Sequence, residues 1–60
     1  MEEEIYKMSS DALRAELRER LAWIETAKKG GFEYDVDEYF VFLVRRCRPD
    51  VYIDVVGSLD

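Results

Sequence analysis

Apolar residues Leu13, Leu17, Leu21, Ile24 and Ala27 recur every three or four positions between Ser10 and about Lys28, the spacing of one face of an α-helix. Signals at both ends agree with that element. Ser9 stands where a hydroxyl accepts from a first-turn amide, Asp11 places negative charge at the positive helix end, and Met8 and Leu13 occupy the two positions of a hydrophobic staple. Lys28 and Lys29 suit the negative end, and Gly30-Gly31 is free to take positive φ and stop the helix. Arg14, Arg18, Glu19 and Glu25 mark the solvated side. Glu16 and Arg20 form an i, i+4 pair worth roughly a few tenths of a kcal/mol.

Two patterns compete over Phe32 to Arg48. As a helix, Asp35 would be the N-cap with Glu38 three residues on, and Tyr34 with Tyr39 would form the staple. Val36, Tyr39, Phe40, Leu43, Val44 and Cys47 would then share the buried face. Acidic residues start this segment, Arg45, Arg46 and Arg48 end it, and Pro49 follows, the order that the helix dipole and proline geometry favour. As strand, Phe32 to Val36 alternates and Tyr39 to Val44 is rich in β-branched and aromatic residues. A hairpin would need a turn at Asp37-Glu38 without glycine or asparagine, so the helix is preferred.

Val51 to Val56 is β-prone and bounded by Gly57, which predicts a short strand. Its backbone groups need partners: Ile5 to Met8, read as an edge strand or a docked arm, a strand of the middle region, or the same strand of a second molecule. The expected fold is therefore α+β, with a long N-terminal amphipathic helix, a second helix, and a small β-sheet including the C-terminal strand. One helix packed on a three-stranded antiparallel meander is the alternative.

Length narrows what such a chain can do. Sixty residues make a single small domain, residues 1–60, that buries only about 60% of the surface its unfolded form exposes. Cys47 is the only cysteine and histidine is absent, which removes an internal disulfide and the usual nitrogen ligand of transition metals. No cofactor or metal is expected, and without histidine or a catalytic spacing no enzymatic activity. The lone thiol and the acidic start Met1-Glu2-Glu3-Glu4 fit a cytoplasmic protein without a signal peptide or a membrane association. A net charge of −5 disfavours loose binding to nucleic acid or anionic lipid.

Candidate chemistry is sparse, and no stretch carries a motif specific enough to name a family. Arg45, Arg46 and Arg48 would stabilise a Cys47 thiolate, but a small apolar side chain on the Phe40, Leu43, Val44 face is the simpler account. Glu33, Asp35, Asp37 and Glu38 lack the mid-loop glycine and terminal glutamate of a calcium loop. The same three arginines suit phosphate or other anions, through few contacts, or the chain's own acidic cluster across a dimer. Hydrophobic residues exceed what one face needs: Val41 and Phe42 fall outside the main apolar stripe. Trp23, Tyr39, Val41, Phe42 and Tyr52 are accordingly the expected interface.

The function expected is a small acidic protein-interaction module, self-associating as a homodimer, that regulates or inhibits a larger protein or assembly. The alternative is a dimeric nucleic-acid-binding regulator whose Arg45, Arg46 and Arg48 touch phosphates.

Overall fold

The computed structural model describes residues 1–59, among which every regular element is a helix: α1 (Glu2–Lys7), α2 (Ser10–Gly30), α3 (Asp35–Cys47) and α4 (Pro49–Val56). Neither the small sheet nor the meander forms, so the α+β expectation is corrected to an all-helical domain. Among these residues no helix is long and apolar enough to cross a membrane.

α2 forms as its pattern requires. Ser9 takes an extended conformation and its hydroxyl accepts from the Ala12 amide at 3.2 Å. Leu13, Leu17, Ile24 and Ala27 are buried, and Met8 packs against the same core as Leu13, as a staple should. The helix runs to Gly30, and Gly31 stops it at φ 74°, with the Phe32 amide donating back to the Ala27 carbonyl at 2.9 Å. Twenty-one residues at about 1.5 Å each account for the longest dimension of the molecule, 32 Å.

α3 confirms the helical choice for the middle region but shifts its start. Tyr34, not Asp35, is the N-cap, and it caps with no side-chain hydrogen bond. Asp35 is thus the first helical residue, so the expected capping box with Glu38 does not form. Phe40, Leu43 and Val44 are buried and Cys47 partly so, whereas Val36 and Tyr39 are exposed. Arg20 of α2 fixes the start of α3, donating to Asp37 at 2.8 Å and to its own-helix neighbour Glu16 at 2.9 Å. Its guanidinium also lies 5.1 Å from the Phe40 ring centre.

The predicted strand Val51 to Val56 lies within α4. Pro49 ends α3 and, with its φ preset near helical values and no amide to satisfy, opens α4 at the first position. Gly57 stops α4 at φ 98°. Val51 is fully buried and Val55 is partly buried against the same core, while Ile53 between them is exposed, a pattern that a helix gives and a strand, whose residues i, i+2 and i+4 share one face, does not. Burial of that face overrides the β preference of the individual residues.

Ile5 to Met8 is likewise no strand. Glu2–Glu4 lie in the first turn and Lys7 in the last turn of α1, and Ile5 is 1% exposed. The docked-arm reading of this segment is the one the fold adopts. One core joins all four helices through Ile5, Leu13, Leu17, Phe40, Leu43, Val44 and Val51. α2, α3 and α4 each pack on the other two, and α1 packs on α3.

Arg48 sits between α3 and α4 and holds α1 in place. Its guanidinium donates to the carbonyls of Ile5 at 3.1 Å and Met8 at 2.9 Å, and to the Ser10 hydroxyl at 3.1 Å. Those carbonyls belong to the C-terminal end of α1, where the dipole also favours a cation. Replacing Arg48 with Ala should lower unfolding stability by roughly 2 kcal/mol, since bonds to a charged donor are lost, and should speed exchange of the Ile5 and Met8 amides. Arg48→Lys should recover less than half, because one ammonium cannot span the three acceptors. Urea melts and amide exchange measured together check both statements.

Candidate helix interface

The side of α3 turned away from the core carries a sequence of chemistry from end to end. Asp35 and Glu38 lie at its start, Tyr39 and Phe42 in the middle, Arg45 and Arg46 at its end, and all six are exposed. Residues 35, 39, 42 and 46 follow steps of four, three and four, which keeps them on one stripe of a helix. Tyr39 and Phe42 are 53% and 54% exposed, large values for aromatic side chains at the middle of a helix. Among the described residues Asp35, Glu38, Arg45 and Arg46 make no ion pair, whereas Arg14 pairs with Asp11 and Asp54, and Arg20 with Glu16 and Asp37.

Two hollows flank this stripe. One, of about 310 Å³, lies between α3 and the α2–α4 pair, with Val41, Phe42, Leu21 and Tyr52 among its apolar lining and Glu38, Lys28 and Arg45 among its charged lining. The other, of about 240 Å³, is bounded by Phe42, Arg45, Arg46 and Leu59. Phe42 and Arg45 border both. A further hollow of about 200 Å³ lies beneath α1, where Glu4, Met8 and Phe40 meet the Glu16–Arg20 pair.

Three of the five residues expected at an interface therefore come together: Val41, Phe42 and Tyr52 share one groove. Tyr39 lies on the adjoining stripe of α3. Trp23 stands apart, with its ring stacked on Phe32 at 6.0 Å between centres and 27° between planes. The arginine cluster divides as well. Arg45 and Arg46 face outward, while Arg48 is turned to α1 and the start of α2.

Cys47 is partly buried against the core. The Tyr6 phenol of α1 is raised above its usual pKa, chiefly by the neighbouring Cys47 side chain. The acidic group of the α3 start is likewise divided, because Asp37 is engaged by Arg20. Among the described residues no three His, Cys, Asp or Glu side chains converge in a way that would hold a metal ion.

In the sequence Asp35 and Glu38 read as a capping pair, which hides the stripe as a unit. Once α3 is taken as a helix, the 4-3-4 spacing of residues 35, 39, 42 and 46 makes it visible. Fold and surface together define a small all-helical domain with one amphipathic face uncovered. No family model, curated protein or solved structure matches the chain.

Gly30 controls the separate aromatic pair. A Cβ added there would come within 2.6 Å of the Phe32 ring, and that ring is the movable end of its side chain. Gly30→Ala should displace Phe32 from Trp23 and shift tryptophan fluorescence, while the gain in helix propensity, up to about 1 kcal/mol, keeps the domain folded by circular dichroism.

Proposed function

We propose that the chain is a protein-interaction module whose primary contact is self-association through the outer face of α3. The observation that supports this reading is the exposure of Tyr39 and Phe42 beside a groove lined by Val41, Leu21 and Tyr52. Aromatic side chains bury large area for little conformational entropy, and they dominate the centres of protein interfaces. An apolar groove bordered by charged residues is the surface plan of such contacts. The nucleic-acid alternative has weaker support, because Arg48 is directed to backbone carbonyls within the domain and only Arg45 and Arg46 of that cluster remain outward in a chain of net charge −5.

Solution mass by light scattering across a dilution series tests the proposal. The expected result is a dimer that dissociates on dilution, with Phe42→Glu monomeric throughout and unchanged in helical circular dichroism. Phe42 lies outside the core, so the substitution buries no charge within the fold. A wild-type chain that stays monomeric at every concentration overturns the proposal, as does a dimer that tolerates Phe42→Glu.

A further inference from the structure

Resting on that reading, we infer that α3 pairs antiparallel with α3 of a second copy about a two-fold axis between Tyr39 and Phe42. Closed pairs of identical chains use one patch twice, so the patch must complement itself. The stripe meets that condition. A two-fold axis at its centre exchanges position 35 with 46 and position 39 with 42. Asp35 then faces the second copy's Arg46, and Phe42 faces the second copy's Tyr39. On the flank bordering the larger groove, Glu38 and the second copy's Arg45 fall about 3 Å apart along the helix direction, within reach of two long side chains.

Three observations favour a second copy over an unrelated occupant. The charges are segregated, acidic at one end and basic at the other, and a reversed copy of the same stripe neutralises both ends. A parallel pairing would place like charges together. Among the described residues the four charges concerned have no ion-pair partner, although charged residues elsewhere on α2, α3 and α4 do. The helix dipole explains acid at the start and base at the end, but it does not explain an exposed aromatic pair between them.

Thirteen residues of α3 span roughly 20 Å, and a contact of that length stands at the small end of specific interfaces, below about 1,200 Å² in total. The pair is therefore reversible, and its ion pairs, lying at the rim, set register and orientation more than strength.

The decisive experiment uses two charge-reversed chains, one carrying D35R with E38R and the other R45E with R46E. Each alone presents one sign along the whole stripe, and its self-association should weaken by roughly tenfold or more. An equimolar mixture should form the heterodimer, because every facing pair then regains opposite charge. Sedimentation of each chain and of the mixture, with circular dichroism as the check on folding, reads all of this. The milder pair D35N with E38Q and R45Q with R46Q serves should a reversal unfold its helix; each should weaken the dimer and reduce its sensitivity to salt. Reversed chains that dimerise like wild type, or a mixture that fails to associate, overturn the antiparallel pairing. Where Phe42→Glu still abolishes the dimer in that case, the outer face of α3 remains the contact and only its register falls. A dimer indifferent to Phe42→Glu removes the surface reading itself.

Discussion

Arg48 terminates α3, precedes the proline that opens α4, and donates to two carbonyls of the α1 end and to the first residue of α2. All four helices thus meet at one residue. A domain of this size has little hydrophobic surplus with which to hold a six-residue helix, and a helix so short has no independent stability. α1 stays because Ile5 enters the core and because its free carbonyls find a fixed cation. With α1 seated, the inner face of α3 is closed over Phe40, Leu43 and Val44, with Val41 and Cys47 packed at its edges, while Tyr39 and Phe42 are directed outward.

The way α3 is held also decides which charges remain outward. Arg20 and Asp37 anchor α3 to α2 on one flank, and Arg14 with Asp54 join α2 to α4 on another. These partly exposed pairs add little net stability; their effect is on orientation. Asp35, Glu38, Arg45 and Arg46 lie on the side that neither pair reaches. Segregation of charge along the outer stripe is therefore the remainder left after the internal pairs have formed.

Much of this was legible in the residues and some of it was not. α2 carried period, cap, staple and glycine stop together, and the fold keeps each of them. α4 carried Pro at the first helical position, Asp50 in the first turn and Gly57 at the stop, but its run of Val, Tyr and Ile favoured a strand by local preference. Tertiary burial of Val51 decided between the two, and burial is not a local property. Arg48 was legible only as one of three arginines; which of them turns inward depends on where α1 lies. Surplus apolar side chains mark Trp23, Tyr39, Val41, Phe42 and Tyr52 alike; only the fold brings Val41, Phe42 and Tyr52 to a common groove and sets Trp23 apart, its partner Phe32 being placed by the turn at Gly31.

α3 packs on each of the other three helices, and it still shows Tyr39 and Phe42 to solvent. In a helix that lies wholly at a domain surface, the apolar stripe is narrow and the rest is polar. Here two separate stripes are apolar at their centres, the inner one filled by the core and the outer one more than half exposed at Tyr39 and Phe42. A helix with two apolar stripes is stable when both are covered, as in the middle of a bundle. Pairing two copies through α3 would give that arrangement, with a continuous layer from the core of one copy through both α3 helices to the core of the other. Losing the outer contact would then be felt on the inner face, so association and folding stability should rise and fall together.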